Sequence, residues 1–160
     1  MSEITYKQAT TEDLQTLFDL SVKFQEYNVA SSGEYDKFFW PNWEEEFKEE
    51  ISDDVANENG VVFLAYGGDK PVGYVYAKYC KECYYFLVDE LFVNENYRGN
   101  NIGGELLEMA MEWGKRFNVP IRVEIFEWNK KALDFYLKQG FKIDSLVLER
   151  PEKEDPGKNK

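Results

Sequence analysis

The amino-acid sequence predicts an α/β fold, α+β by some schemes, in which helices flank a central twisted sheet that is mixed but mostly antiparallel. From residue 61 onward, three strand-like segments follow one another with only short turns between them, which is typical of an antiparallel meander. Segments with apolar residues at three- and four-residue steps precede and follow this meander, and they predict helices. The chain has 160 residues, of which 43% are hydrophobic, and this is enough for one core.

The first third of the chain reads as a strand and two helices. Residues 4–8 are strand-like, and Thr11, Glu12 and Asp13 then supply an N-cap with an acidic first turn. A helix is predicted next, because apolar residues recur at helical spacing and form one stripe along it: Leu14, Leu17, Phe18, Val22 and Phe24. A second helix is predicted in residues 42–51, "NWEEEFKEEI", and an irregular aromatic segment separates the two helices.

The rest of the chain alternates strands and helices. The meander consists of "VVFLAYGG", "VGYVYAKYC" and "YYFLVDELFVN", and a helical stripe then runs from Ile102 to Phe117, stopped by Asn118 and Pro120. The strand "IRVEIFE" (residues 121–127), the helix "NKKALDFYLKQG" with Asn129 as its cap and Gly140 beyond its end, and the last strand "FKIDSLVLE" complete the pattern. We expect one domain over residues 1–149 and a disordered tail over residues 150–160.

Composition and charge exclude several classes of protein. There is no apolar run of 18 residues and no signal-like start, so we expect a cytoplasmic protein with no membrane partner. The net charge of -12 argues against nucleic-acid binding, which needs basic patches. Cys80 and Cys83 are the only cysteines and histidine is absent, so we predict no metal site and read "CKEC" as the tip of a hairpin.

A glycine-rich turn stands where a strand passes into a helix, in the sequence "YRGNNIGGELL". Unpaired N–H groups at the positive end of a helix dipole form a ready site for phosphate. Glu105 and Leu106 stand where a P-loop needs lysine and serine or threonine, and "GNNIGG" is not the dinucleotide fingerprint GxGxxG. The turn therefore predicts an anion site of another kind.

The turn resembles the pyrophosphate loop of the GNAT acetyltransferase superfamily, in which an Arg or Gln is followed by two residues, Gly, any residue, and Gly or Ala. Residues 98–103 fill this motif, except that Asn101 stands where the family usually has glycine. The similarity continues in "EIFEWNKKALDFYLKQGFK", where Asn129 and Tyr136 keep the family's spacing. Within this superfamily, the sequence is most similar to small-amine or polyamine acetyltransferases. The resemblance implies the GNAT fold, with six to seven strands, about four helices and splayed strands at the cofactor site.

By this resemblance the cosubstrate is acetyl-CoA, with its pyrophosphate on the turn and its pantetheine arm along the preceding strand. Asn129 is expected to contact that arm, and the amide of Phe92 or Val93 is expected to stabilise the oxyanion. Asn101 is expected to adopt positive φ, with some strain or weaker cofactor affinity. The expected cofactor-binding residues are Leu91, Phe92, Val93, Arg98, Gly99, Asn100, Asn101, Ile102, Gly103, Gly104, Asn129, Ala132 and Tyr136.

The resemblance and the chemistry of acyl transfer together suggest the catalytic residues. Tyr136 is the expected general acid that protonates the leaving thiolate. An amine acceptor must lose a proton and no histidine is present, so the expected base is Glu90 or Asp89, with Glu90 preferred. Strand alternation would place Glu90 on the face of Phe86 and Asp89 on the opposite face. Proton transfer through water alone remains the alternative.

An acidic, aromatic segment suggests the acceptor. Residues 34–58 contain ten acidic residues against two lysines. They also carry aromatic side chains suited to an ammonium group, among them Tyr35, Phe38, Phe39, Trp40 and Trp43. We therefore predict a small cationic amine as acceptor, attacked directly in a ternary complex. The alternatives are a peptide lysine or N-terminal amine, and a catalytically silent CoA-binding module. A homodimer is compatible with the fold.

Overall fold

The computed structural model of the chain describes residues 3–150. These divide into two compact units, one that extends to Trp128 and one that begins at Asn129, and each is considered by itself below. The prediction of a single domain over residues 1–149 stays a prediction. The predicted disorder of the tail falls mostly on residues 151–160, which lie outside the described part of the chain.

The first unit is built on a five-stranded sheet. Its strands are β1 (Ile4–Gln8), β2 (Gly60–Gly67), β3 (Lys70–Cys80), β4 (Tyr85–Val93) and β5 (Ile121–Val123). They lie side by side in chain order, and every pairing is antiparallel except the parallel pairing of β4 with β5. The predicted mixed, mostly antiparallel sheet is therefore confirmed, with five strands in the described residues rather than six to seven.

Four helices of the first unit accompany the sheet: α1 (Leu14–Ser32), α2 (Tyr35–Phe38), α3 (Trp43–Ala56) and α4 (Ile102–Gly114). The first helix begins differently from the prediction. Thr10, not Thr11, is the cap: its side chain accepts from the Glu12 N–H, and Asp13 completes a capping box before α1. Within residues 3–150, no helix is long and apolar enough to cross a membrane.

The two faces of the sheet bury different helices. On one face Tyr74, Tyr76 and Phe92 pack with Leu17 and Leu20 of α1 to form the main core cluster. On the other face Phe86 contacts the α4 residue Trp113, and Gly114 leaves space for its ring, because a Cβ there would lie 2.5 Å from that ring. This arrangement fixes α1 and α4 on opposite sides of β4.

The tip between β3 and β4 carries both cysteines. Cys80 ends β3, and Cys83 lies three residues later, in the turn. The predicted hairpin tip is confirmed, but the structure also joins the two cysteines by a disulfide, with their Cα atoms 5.1 Å apart. This bond was not predicted from the sequence. A tight turn brings such closely spaced cysteines within the range that a disulfide spans.

The second unit contains α5 (Lys130–Lys138), followed by Gly140 at φ 88°. The predicted cap is confirmed, because the Asn129 side-chain oxygen accepts from the Ala132 N–H at 3.1 Å. The predicted last strand is wrong, since residues 141–150 form no strand. The strand predicted over residues 121–127 is also shorter, because its ladder with β4 ends at Val123.

Candidate active site

The glycine turn reaches α4 through two left-handed residues. After a 3-10 turn at Glu95–Tyr97, Arg98 is extended, Gly99 has φ 83° and Asn101 has φ 59°. The positive φ expected of Asn101 is thus observed, and asparagine is among the residues that tolerate this region best. These two positions reverse the chain so that α4 begins immediately at Ile102.

The N-terminus of α4 has no side-chain cap. Asn101 occupies the N-cap position but accepts no hydrogen bond from the first turn. Its side-chain oxygen instead lies against Gly104, where a Cβ would come within 2.4 Å of it. The first-turn amides thus lack the acceptor that a capping side chain supplies, and such a helix end binds anions such as phosphate.

Arg98 links the turn to the end of β4. Its Nε donates to the Val93 carbonyl at 2.8 Å, and its guanidinium lies 5.0 Å from the ring centre of Tyr27 on α1. Arg98 is exposed, so its charge faces solvent beside the turn. The Arg98 guanidinium and the uncapped first-turn amides of α4 together favour the binding of a ligand with two negative charges.

One edge of β4 is open beside the turn. The pairing with β5 ends at Val88 and Val123, so residues 89–93 have no strand neighbour on that side within the described chain. The Asn94 N–H donates to the Val72 carbonyl of β3 at 2.8 Å. Because main-chain direction alternates in an antiparallel strand, Phe92 also faces β3, whereas Leu91 and Val93 face the open edge. The splaying expected here is therefore present.

A β-bulge at Asp89 overturns the predicted alternation. Tyr76 lies opposite Glu90 and Ala77 lies opposite Val88, so Asp89 is an extra residue in β4. The bulge breaks the period of two, and Glu90 faces α1 while Phe86 faces α4. The prediction that Glu90 shares a face with Phe86 and Val88 is wrong for this reason.

Glu90 lies in a network of three donors under α1. One of its oxygens, Oε2, accepts from the Tyr74 hydroxyl at 2.6 Å and from the Ser21 hydroxyl at 3.2 Å. The other, Oε1, accepts from the Gln25 amide at 2.9 Å. Burial raises the pKa of Glu90 to about 7, although the bonds from Tyr74 and Ser21 act in the opposite direction. Glu90 can therefore exchange a proton near neutral pH.

Asp89 has a different environment. Its Oδ2 lies 2.9 Å from the Lys78 Nζ, and Lys78 also pairs with Glu50 on α3. The side chain of Asp89 remains about a third exposed, at 34%. Asp89 is thus held in an ion pair at a partly solvated surface, whereas Glu90 lies under α1, and this difference separates the two candidates that the sequence left open.

A row of aromatic side chains crosses the first unit from α2 to Arg98. Phe38 meets Phe126 edge to face at 5.3 Å, and Phe126 stacks on Trp128 at 5.7 Å with an interplanar angle of 6°. Trp128 in turn lies 6.4 Å from Tyr27, whose ring is covered by Arg98. The indole nitrogen of Trp128 is buried and has no hydrogen-bond partner in the described residues. This row connects the acidic segment to the glycine turn.

The partners of Glu90 and much of this row were not predicted from the sequence. Ser21, Gln25 and Asn28 interrupt the apolar face of α1 at helical spacing, and Ser21 and Asn28 are buried. Polar residues on a buried helix face need partners, so this spacing was a usable signal. No comparable signal marks Tyr27, Phe126 and Trp128, because isolated aromatic residues usually belong to a core.

The second unit holds the remaining predicted residues. Tyr136 is 7% exposed, and burial holds the pKa of its phenol well above its ordinary value. Its ring contacts Phe135 and Phe141 edge to face at 5.0 and 5.4 Å. Asn129 uses its side-chain oxygen as the cap of α5, and its side-chain nitrogen is not part of this cap. No group of three metal-ligating side chains occurs in the described residues.

Comparison with known proteins identifies the class. The model of the acetyltransferase (GNAT) family matches residues 24–141, and the chain therefore belongs to this family. The uncharacterized N-acetyltransferase MJ1207 of Methanocaldococcus jannaschii is 29% identical over 154 residues, which are 89% of this chain and 62% of that protein. The chain thus spans about 62% of the length of this relative.

Solved structures show the same fold. The PaiA N-acetyltransferase from Thermoplasma acidophilum, in complex with coenzyme A, has a TM-score of 0.73 at 21% identity, with 91% of this chain and 93% of that chain covered. An aminoglycoside acetyltransferase, meta-AAC0020, from an uncultured soil metagenomic sample has a TM-score of 0.69 at 18% identity, with 94% and 95% covered. The GNAT fold predicted from the sequence is confirmed.

Proposed function

We propose that this protein transfers an acetyl group from acetyl-CoA to a primary amine by direct attack within a ternary complex. The observation that carries the proposal is the juxtaposition of uncapped α4 amides, an open β4 edge and a carboxylate with a pKa of about 7. Membership in the GNAT family and the coenzyme A bound by a protein of the same fold support it.

Acetyl-CoA is proposed to bind in two parts. Its pyrophosphate receives hydrogen bonds from the first-turn amides of α4 and charge from Arg98. Its pantetheine arm pairs with the open edge of β4, where the main-chain groups of Leu91 and Val93 point away from β3. Of the two amides considered for the oxyanion, Val93 is preferred over Phe92, because Phe92 faces β3.

Glu90 is proposed as the general base, directly or through one water. It takes a proton from the acceptor ammonium, and the freed nitrogen then attacks the acetyl carbonyl carbon. The tetrahedral intermediate collapses with cleavage of the C–S bond, and Tyr136 is proposed to give its proton to the departing thiolate. The raised pKa of Tyr136 keeps this proton in place at neutral pH. As the intermediate collapses the nitrogen loses its second proton, which restores the Tyr136 phenol through solvent, and Glu90 releases the first proton to solvent. One ammonium ion and one acetyl-CoA therefore yield one amide, one CoA and one proton.

A small cationic amine is the proposed acceptor. Residues 34–58 carry ten acidic side chains against two lysines, and the aromatic row begins at Phe38 in this segment. Negative charge raises the local concentration of cations, and aromatic faces bind ammonium groups. An aminoglycoside acetyltransferase with the same fold acts on an acceptor of this chemical class.

A two-stage experiment tests the proposal. Calorimetry first measures coenzyme A binding to the full chain, and binding is expected to weaken at least about tenfold when Arg98 is replaced by alanine. Lys115→Ala, on an exposed residue at the other end of α4, is the matched control and is expected to bind normally. Thiol release from acetyl-CoA is then followed with neutral, anionic and polycationic amines. Binding without thiol release for any amine would favour a silent CoA-binding module instead.

A further inference from the structure

The bulge at Asp89 brings two neighbouring carboxylates to one face of the sheet. Glu90 accepts from the Tyr74 hydroxyl, and Asp89 lies 2.9 Å from the Nζ of Lys78. Tyr74 and Lys78 are four residues apart in β3, so their side chains lie on the same face of that strand. In a regular strand, consecutive side chains point to opposite faces, and the sheet would separate the two carboxylates. The bulge therefore leaves Asp89 and Glu90 as like charges on one face when both are ionised.

Lys78 joins this face of the sheet to α3. Its ammonium pairs with Asp89 and with Glu50 of α3, and its side chain is 22% exposed. The ring of Tyr76 lies beside it, with 5.4 Å between the Nζ and the ring centre. Burial acts to lower the pKa of Lys78, but the carboxylates of Asp89 and Glu50 outweigh burial and hold that pKa above its ordinary value. Lys78 is therefore a positive charge throughout the pH range in which Glu90 ionises.

The groups around Glu90 come from four elements. The helix α1 supplies the neutral donors Ser21 and Gln25. The titratable and charged groups are Tyr74, Tyr76 and Lys78 of β3, Asp89 of β4, and Glu50 and Asp54 of α3. Burial is the main cause of the raised pKa of Glu90; the charge of Asp89 acts in the same direction, whereas the charge of Lys78 lowers this pKa. Asp89 thus opposes the ionisation of Glu90, and Lys78 offsets that effect by its own charge and by pairing with Asp89.

We propose that Lys78 is a positioning residue for proton transfer, which acts on Glu90 by holding the neighbouring carboxylate of Asp89 in an ion pair. This inference rests on the proposed function, in which Glu90 is the general base. Asp89 then has a role other than that of an alternative base. The bulge places its charge beside Glu90, and Lys78 determines how strongly that charge acts there. The ion pair thereby sets the pH above which the base is ionised.

The test compares Lys78→Met with the wild type. This substitution removes the charge and keeps an unbranched side chain against the ring of Tyr76. The midpoint of the rise of kcat with pH is expected to move up by about one pH unit, because an opposite charge near a carboxyl lowers its pKa by about 1–3 units. With a saturating amine, kcat should then fall about tenfold at pH 6 and change little at pH 9. Lys78→Arg retains the charge and is expected to restore the wild-type midpoint.

Lys48→Met is the matched control. Lys48 also pairs with a glutamate, Glu44 at 2.8 Å, and it also lies against an aromatic ring, that of Phe18. The same substitution at this position changes the net charge equally and is expected to leave the midpoint in place. Circular dichroism checks the fold of each variant.

Asp89→Asn is a second variant that tests the same ion pair if Lys78→Met does not fold. It keeps an oxygen that can accept from Lys78 and removes the negative charge beside Glu90. The midpoint is therefore expected to move in the opposite direction, to lower pH.

Carbon-13 NMR of the glutamate carboxyl groups measures the ionisation of Glu90 in the free protein, without any substrate. The Glu90 signal is identified by its loss in Glu90→Gln. A midpoint that rises in Lys78→Met, with none of this shift in Lys48→Met, supports the inference. An unmoved midpoint in Lys78→Met, an equal shift in Lys48→Met, or an unmoved or raised midpoint in Asp89→Asn overturns it. These readings do not depend on turnover, so the inference can fail while Glu90 remains the base. The proposed function fails separately if Glu90→Gln leaves the pH dependence of kcat intact.

Discussion

The ionisation of Glu90 gives the most direct test of the proposed mechanism. Only the deprotonated carboxylate can accept the acceptor's proton, so the rate should rise with pH through the pKa of Glu90, which burial raises to about 7. The deprotonated fraction then rises from about 0.09 at pH 6 to about 0.91 at pH 8, a change of roughly tenfold. The perturbation is Glu90→Gln, which keeps the shape of the side chain and removes its titration.

The assay is kcat for acetylation measured between pH 5.5 and 9 with a saturating amine. Glu90→Gln is expected to lower kcat by about a hundredfold, because a general base contributes about 10²–10⁴ in rate. It is also expected to abolish the rise of kcat with pH near pH 7, which is called the limb of the profile below. Asp89→Asn is the matched control, since Asp89 pairs with Lys78 at 2.9 Å, and its profile should retain the limb. A Glu90→Gln profile that keeps the same limb would refute the assignment.

Tyr74→Phe provides a second, independent arm of the same test. The Tyr74 hydroxyl donates to Glu90 at 2.6 Å, and this bond lowers the pKa of Glu90. Removing the hydroxyl should therefore shift the limb to higher pH while leaving its height unchanged. A loss of activity at all pH values without a shift would show that Tyr74 serves folding alone.

The same pKa predicts a stability effect with a definite sign. A carboxyl whose pKa is raised in the folded state binds its proton more tightly there than in the unfolded chain, where the pKa is about 4.3. Its stabilising contribution is present below that value and is lost as pH rises through about 7. The melting temperature of Glu90→Gln relative to the wild type should therefore increase between pH 5 and pH 8. A difference that stays constant with pH would contradict the raised pKa.

Three further predictions concern the cofactor turn, the leaving group and the acceptor. Tyr136→Phe should lower kcat by about a hundredfold and leave the coenzyme A dissociation constant within about twofold; an unchanged kcat would remove its role as acid. Asn101→Val should weaken coenzyme A binding about tenfold or more by calorimetry, because a β-branched residue is strained at φ 59°, whereas Asn101→Gly should bind at least as well as the wild type. The preference of kcat/KM for polycationic over neutral amines should shrink as salt is raised from 0.01 to 0.5 M, and a preference for anionic amines would contradict the role of residues 34–58.

The features that the sequence predicted correctly depend on neighbouring residues. The left-handed conformation of Asn101, the start of α4 at Ile102 and the cap of α5 by Asn129 each involve groups within about one helical turn. The antiparallel meander was also predictable, because short turns join its strands. The family resemblance could likewise be read from short motifs, residues 98–103 together with the spacing of Asn129 and Tyr136.

Other features were decided by contacts between distant parts of the chain. The bulge at Asp89 exists only in the register of β4 against β3, and no local pattern in "VDELFV" marks it. The pairing of Glu90 with Ser21 joins residues 69 positions apart, and this contact distinguishes Glu90 from Asp89. Strand length depends on the neighbour as well, since "IRVEIFE" pairs with β4 over only three residues.

The sequence alone thus determined the family, the glycine-rich turn before α4 and the order of the elements, because these follow from local backbone preference and from residue type. Tertiary structure decided which carboxylate lies under α1, which edge of β4 stays open and which residues form the aromatic row between α2 and Arg98. The physical reason is that burial, hydrogen-bond partners and strand pairing are properties of surfaces brought together by folding. The residues that form such surfaces have no fixed spacing along the chain.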